Sequence, residues 1–458
     1  MQRSSRPTCT PSLSKETILR GNDELLSYNT TAPIIELALQ NELDGNVITG
    51  FNNFWGKFFL DKDWSDQTLR IWECYQRYEI DEIEERERDN GGNPLKTQTT
   101  YLSKKEIWDW LNFFRDNFLN QLINPISNSP RKFPSLAMKD KGSQIRNKYC
   151  HTTTNHQIKG TTNNYQVDFL VKSINVANNE IHQWKDVRVL CEFMIEHFND
   201  KKRDKFLQLS RSVLQIFSIQ PLCQFVHEFC LYKNNFELWL FNRSGAYSSG
   251  PLSIKDNKDK LVRAISSYLF MSDEELGIYS PFRNVNGRSF LSFSNEEDDH
   301  AQSYEINPDP IFKARKLVSR GTVCFEMGEK NAVVKYSWTR TAGKSEIDFM
   351  QDACDTKGVV NYLRADRICK TSDHLEGLNF CSAASWDISG LDPIAIGEGE
   401  KQPITPPRIK DRELTRLIVT PRGRRLNSSR TILEFVEGIK RRHHGPPMII
   451  CPKEGTSW

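Results

Sequence analysis

The chain has 458 residues, of which 38% are hydrophobic and 11% aromatic, so it is long enough for roughly two to four domains with packed cores. Its formal net charge at pH 7 is only +3. A charge this small gives no electrostatic argument for a nucleic acid or a membrane surface as a partner.

The cysteines and the apolar runs indicate the cellular compartment. Eleven cysteines are scattered without a C-x-x-C pair, which is typical of reduced thiols and argues against a disulfide framework or a zinc site. No apolar run approaches the roughly 20 residues that a membrane helix needs, and the N-terminus lacks the apolar core of a signal peptide. The sequence therefore predicts a soluble intracellular protein, either cytoplasmic or nuclear, without a membrane partner.

Residues 32–160 are predicted to form a helical N-terminal module, preceded by a disordered segment at residues 1–31 that is rich in Ser, Thr and Pro. Residues 51–60 are dense in aromatic side chains, which we interpret as core packing rather than as a docking patch. Ser103, followed three positions later by Glu106, predicts a capping box at the start of an amphipathic helix.

Residues 161–280 predict a small α/β sandwich, because short apolar runs alternate there with helical spacing. The polar residues 125–160 before it predict a long loop. The predicted order is strand, strand, helix, strand, strand, helix, at residues 167–171, 186–194, 206–217, 224–231, 237–242 and 261–270.

Two carboxylates in this module raise an alternative function. Asp168 and Glu192 lie on adjacent predicted strands, and carboxylates so placed hold Mg²⁺ in restriction-endonuclease-like folds. Those nucleases also need a lysine two residues after the second carboxylate, where this chain has Met194. We therefore favour polar strand-end residues over a Mg²⁺-dependent nuclease, with a restriction-endonuclease-like fold as the most that the pattern supports.

Residues 281–310 are polar and include the acidic run 296–299. This composition predicts a linker between modules. It separates the α/β module from a third, β-rich module.

A strand, a turn, a second strand and a helix are predicted over residues 317–353. Gly321 lies in the first run, and Lys335 lies in the middle of the second run, where alternation puts it on the same face as Val333. A lysine on an apolar strand needs a counter-charge or a ligand phosphate, unless it lies on an edge strand and points to water. The helix begins near Glu346, whose place in the first turn also permits a plain helix-dipole role.

The helix start has its own signal, since Ser345 can cap the helix with Asp348 returning the hydrogen bond. Further strands are predicted at residues 358–368 and 414–419, separated by a long polar insertion at 370–412 that is expected to be an exposed loop. Together these elements make a small lobe of antiparallel strands with one helix, so the whole chain is predicted to be α+β.

The run S-R-G-T at residues 319–322, V-V-K-Y-S-W at 333–338 and S-E at 345–346 resembles the fungal-type protein kinase family, and the resemblance extends over roughly residues 160–444. It implies a protein-kinase-like small lobe and hinge helix at residues 311–447, ATP as cofactor, and phosphoryl transfer to Ser or Thr of proteins. It also implies nucleotide-binding roles for four residues, Lys335, Glu346, Gly321 and Val333. Common kinases have three glycines where this run has one, so the phosphates would be covered more loosely.

Kinase chemistry also needs a catalytic aspartate, an asparagine and the aspartate of D-F-G after the hinge, which the resemblance places at residues 420–423. After Asp411 the sequence contains no aspartate, and residues 448–458 are predicted to be a tail. The chain is therefore predicted to lack the large catalytic lobe, its base and its Mg²⁺ ligands, and to be a truncated product or pseudokinase that is inactive alone. The alternative is a non-catalytic scaffold whose partner contacts the predicted hinge helix, through Ile432, Phe435, Val436 and Ile439.

Overall fold

The computed structural model describes the following parts of the chain: residues 32–89, 103–119, 148–152, 158–160, 167–173, 182–193, 198–232, 234–295, 298–328, 331–353, 356, 359–388 and 407–423. The predictions for residues 1–31, 432–439 and 448–458 lie outside them. No helix in the described part is long and apolar enough to cross a membrane.

The described helices and strands make a mixed α/β structure. The α-helices are α1 (Ala32–Leu43), α2 (Phe54–Phe59), α3 (Ser65–Asp89), α4 (Lys104–Phe114), α5 (Phe198–Ile219), α6 (Lys258–Phe270) and α7 (Glu346–Asp352). The first strands are β1 (Val47–Thr49), β2 (Lys148–Thr152), β3 (Phe169–Ser173), β4 (Val187–Phe193), β5 (Phe225–Tyr232), β6 (Asn235–Asn242), β7 (Gly245–Ser248) and β8 (Leu252–Ser253). The later strands are β9 (Phe282–Val285), β10 (Arg288–Asn295), β11 (Asp298–Ile306), β12 (Phe312–Lys313), β13 (Val323–Met327), β14 (Ala332–Arg340), β15 (Asn361–Lys370), β16 (Ala384–Ser385) and β17 (Arg412–Thr420).

A nine-stranded sheet forms the centre of the first half of the chain, in the order β16-β1-β7-β6-β5-β4-β3-β2 with β8 paired to β6. Helices α1 and α5 pack on one face, where Leu39 and Phe206 belong to the same buried cluster. Helices α2, α3, α4 and α6 pack on the other face, where the rings of Phe59 and Tyr268 lie 5.7 Å apart. The N-terminal helices therefore share their cores with the α/β sheet.

Several local predictions for this half are confirmed. Phe54 and Phe59 of the aromatic run are fully buried, as expected for core packing. Ser103 accepts a hydrogen bond from the backbone N–H of Glu106, which completes the predicted capping box. The loop prediction for residues 125–160 is wrong at strand β2, which pairs with β3.

The segment predicted to be a linker, residues 281–310, instead forms a three-stranded antiparallel sheet from β9, β10 and β11. Leu291 and Phe293 alternate with serines along β10 and are buried against the neighbouring sheet. The ring of Phe282 lies 4.9 Å from that of Phe325 on β13. The prediction failed because only one face of this sheet is buried, so its overall composition stays polar.

The neighbouring five-stranded antiparallel sheet has the order β12-β13-β14-β17-β15, and α7 lies between β14 and β15 in the chain. The predicted strand at 317–327 starts only at Val323, because residues 314–322 form a loop between β12 and β13. The insertion after β15 is not simply an exposed loop, since β16 pairs with β1 and Trp386 is buried beside α5. The insertion therefore ties the small sheet to the large one.

We expect Leu291→Ala to lower the free energy of unfolding by about 2–5 kcal/mol, because the fully buried side chain leaves a cavity between the two sheets. Val285→Ala on β9 is the control, since Val285 is 40% exposed and should change stability by less than about 0.5 kcal/mol. Urea denaturation measures both. A change as small for Leu291→Ala as for the control would restore the linker interpretation.

Candidate nucleotide site

An ion pair between Lys335 and Glu346 lies at the centre of the small sheet. The Nζ of Lys335 is 2.5 Å from Oε1 of Glu346. Lys335 lies on β14 between Cys324 of β13 and Leu417 of β17, and only 2% of the residue is exposed. The alternative of an edge-strand lysine pointing to water is therefore excluded, and the charge of this lysine is balanced by a carboxylate.

The start of α7 fixes where Glu346 can lie. Ser345 is the N-cap, and its side chain accepts a hydrogen bond from the N–H of Asp348 while the Asp348 carboxylate accepts one from the N–H of Ser345. This is the predicted capping box, and it makes Glu346 the first residue of the helix. The glutamate does more than complement the helix dipole, because its carboxylate reaches the lysine on β14.

Sequence reasoning missed a second cation at this carboxylate. The Nη2 of Arg320 lies 2.9 Å from Oε2 of Glu346, and the carbonyl of Arg320 accepts a hydrogen bond from the N–H of Trp338 at 2.6 Å. Arg320 and Lys335 thus share one carboxylate, which leaves a formal charge of +1 (two cations and one anion). Such a cluster favours an anionic ligand such as a phosphate group. The sequence did contain a signal for this cation, since Arg320 is the second residue of the S-R-G-T run and precedes Gly321.

Val333 and Gly321 have different surroundings. Val333 shares the face of Lys335 and packs against an apolar cluster that includes Met350 of α7 and Val419 of β17. Gly321 lies in the loop before β13 at φ +48°, and a Cβ atom there would lie 2.8 Å from Nε of Arg243. Its lack of a side chain is therefore required by contact with the turn between β6 and β7.

The predicted hinge follows β17, which ends at Thr420, one residue after the predicted end of this strand. The N–H of Arg422 donates to the carbonyl of Asn331 at 2.7 Å, so the first hinge residues lie beside the turn between β13 and β14. The helix proposed to contact a partner, at residues 432–439, lies outside the described residues. The scaffold alternative therefore stays a prediction.

The structure brings Asp168 and Glu192 together at the end of the β3–β4 pair. Asp168 accepts a hydrogen bond from the N–H of Phe193 at 2.8 Å, and it forms an ion pair with Lys104 of α4. Glu192 accepts hydrogen bonds from Ser212 and Gln208 of α5, at 3.4 and 3.3 Å. Lys104 was missed because it comes from a distant helix. These internal contacts favour a structural role for both carboxylates.

Burial also raises the pKa of two glutamates in this cluster. Burial, and then the nearby charge of Asp168, raise the pKa of Glu192 to about 8, whereas Lys104 opposes the rise. Burial and Glu192 raise the pKa of the fully buried Glu228 well above its usual range. Protonated carboxyls are poor ligands for Mg²⁺. In the described part of the chain, no group of three or more His, Cys, Asp or Glu side chains could hold a metal ion.

The raised pKa of Glu192 predicts how stability depends on pH. Between the ordinary value of 4.5 and about 8, the folded chain holds a proton that the unfolded chain has lost. Stability should therefore fall as pH rises through this window, by at most about 1.4 kcal/mol per pH unit from this group. Glu192→Gln stays neutral, so its stability relative to the unsubstituted protein should increase from pH 5 to pH 8.

Denaturation with urea at several pH values measures this difference. Glu274→Gln is the control, because it makes the same substitution at an exposed glutamate, where stability should change by less than about 0.5 kcal/mol. Parallel pH curves for Glu192→Gln and the unsubstituted protein would contradict the assignment of a buried, protonated carboxyl.

The sequence was compared with protein families, curated proteins and solved structures, and only the family comparison gives a match. A search of curated proteins gives no match, and a search of solved structures gives none either. Residues 166–441 match the sequence profile of the fungal protein kinases. The match covers more than half of the 458 residues and contains both the carboxylate cluster and the Lys335–Glu346 pair. The chain belongs to the fungal protein kinase family.

Proposed function

We propose that the five-stranded sheet and α7 are a kinase-type small lobe that binds ATP through Lys335. The ion pair of Lys335 with Glu346 carries the proposal. The lysine lies on β14, the third strand of this sheet in the chain, and the glutamate lies in the helix that follows it. Protein kinases use a lysine and a glutamate in these two positions to hold the phosphates of ATP.

The residues present fit a triphosphate. Lys335 would donate to phosphate oxygens, and the ion pair with Glu346 fixes the position of the lysine ammonium. Arg320 holds the second oxygen of Glu346, so the carboxylate is fixed from both sides. Val333 adds apolar surface on the same face. Bound ATP would supply the phosphoryl group that the family transfers to Ser or Thr of proteins.

The proposal for these 458 residues stops at nucleotide binding. The H-R-D and D-F-G runs that supply the catalytic base and a metal ligand do not occur after residue 423 in the sequence. We therefore infer that these residues alone do not transfer phosphate. Because the usual Mg²⁺ ligands are missing from them, ATP should bind weakly and with little dependence on Mg²⁺.

Calorimetric titration with ATP tests the proposed function. Lys335→Ala should weaken binding by about 10- to 100-fold, because a charge-assisted hydrogen bond to phosphate contributes about 1.5–3 kcal/mol. Lys344→Ala is a matched control, since Lys344 is an exposed lysine that pairs with Asp352 at the other end of α7. It should leave ATP affinity unchanged. Adding a chelator of divalent cations should change the affinity of the unsubstituted protein by less than about threefold.

Two results would contradict the proposal. One is the absence of measurable ATP binding by the unsubstituted protein. The other is binding that requires Mg²⁺ and survives Lys335→Ala, because the nucleotide would then be held somewhere else.

A further inference from the structure

The loop between β12 and β13, residues 314–322, is held by the first half of the chain. Leu317 is fully buried, and it belongs to the apolar cluster beneath α1 and α5 rather than to the small sheet. The loop therefore inserts a side chain into the core of the large sheet. In a kinase-type small lobe, the loop between the first two strands covers the phosphates of ATP.

Helix α1 binds the backbone of this loop. Oε2 of Glu42 accepts hydrogen bonds from the N–H groups of Leu317, at 2.8 Å, and Val318, at 3.2 Å. Glu42 lies in the last turn of α1, 275 residues from Leu317 in sequence. Hydrogen bonds to an ionised acceptor are about twice as strong as neutral ones, so this contact fixes two successive peptide groups.

Arg243 binds the same loop from the turn between β6 and β7. Its Nη1 donates to the carbonyl of Lys316 at 2.5 Å, and its guanidinium lies 4.0 Å from the ring centre of Phe217 on α5. The residue is fully buried. Its Nε lies 2.8 Å from the position that a Cβ atom on Gly321 would take. The guanidinium therefore contacts the loop at both Lys316 and Gly321.

The held loop continues directly into the proposed nucleotide site. Arg320 follows the anchored residues and contacts Glu346, which in turn contacts Lys335. We propose that Glu42 and Arg243 are positioning residues for the phosphate-binding loop, so that ATP affinity of the small lobe depends on α1 and the large sheet. This inference rests on the proposed function. Its physical basis is preorganisation, because a loop that is already ordered loses less conformational entropy when a ligand binds.

The first test compares Glu42→Ala with Glu36→Ala. Glu36 lies on the same helix and pairs with Arg211 of α5 at 3.1 Å, so its variant removes an α1 ion pair without touching the loop. Glu42→Ala should weaken ATP binding by about tenfold and leave adenosine binding unchanged, because the proposed site places this loop at the phosphates. Glu42→Gln keeps an acceptor oxygen and should restore most of the ATP affinity. Glu36→Ala should bind both ligands normally.

Amide hydrogen exchange checks the cause independently of any ligand. The N–H groups of Leu317 and Val318 should exchange at least about tenfold faster in Glu42→Ala. Gly321→Ala is a second variant, because its methyl group would collide with Arg243, and it should weaken ATP binding similarly. Gly343→Ala is its control, since Gly343 also has a positive φ, of +96°, but nothing lies within 4 Å of its Cβ position.

The outcomes separate the two claims. If the unsubstituted protein binds ATP but Glu42→Ala binds it equally well while the two amides exchange faster, the positioning role is wrong and the proposed function stands. Tighter ATP binding by Glu42→Ala would also overturn the positioning role, because the anchor would then be holding the site closed. If the unsubstituted protein does not bind ATP, the proposed function fails and this role fails with it.

Discussion

A buried ammonium group on a central strand must have a counter-charge, and the small sheet is built around this requirement. Lys335 is hydrogen-bonded in the ladder between β13 and β17, so its side chain cannot turn to water without breaking the strand pairing. Glu346 meets it because Ser345 starts α7 at that point. Burying an ion pair contributes little to stability by itself. Stability alone therefore does not explain why the pair is there.

The anchored loop connects the small sheet to the earlier residues of the family match, which begins at residue 166. The match to fungal protein kinases thus starts well before the small sheet, and it includes strands β3 to β8 and β16 of the large sheet. The structure gives a physical reason for this continuity, because Leu317 and Trp386 of the later segment are buried in the core beside α5. These two side chains thus attach the small sheet to the large one. Asp168 and Glu192 of the large sheet contact Lys104 of α4 and Ser212 and Gln208 of α5, within the protein.

Local patterns predicted much of this structure, and long-range contacts account for the failures. The caps at Ser103 and Ser345 depend on residues three positions away, so the sequence shows them directly. Lys335 and Glu346 were both identified as candidate residues because their order along the chain matches a known family. Arg320 was missed because its contact depends on the loop's path. The loop is bonded to Glu42, far away in sequence, and no periodicity reveals such a contact.

The polar composition of residues 281–310 shows a second limit of pattern analysis. A strand with one face in water has only every second side chain buried, and in β10 these are Leu291 and Phe293. Average polarity hides such a strand, whereas the two-residue period would have indicated it. Strand β5 is buried on both faces, and its mostly apolar run was predicted within one residue of each end.

The proposed site requires that Lys335 face the phosphates of a bound nucleotide. An ATP derivative with a reactive acyl-phosphate transfers its acyl group to the lysine nearest the phosphates, and mass spectrometry locates the modified residue. We expect labelling at Lys335 that excess ATP prevents, while exposed lysines such as Lys344 are labelled equally with and without ATP. Labelling at Lys335 that ATP does not reduce, or ATP-sensitive labelling of another lysine alone, would contradict it.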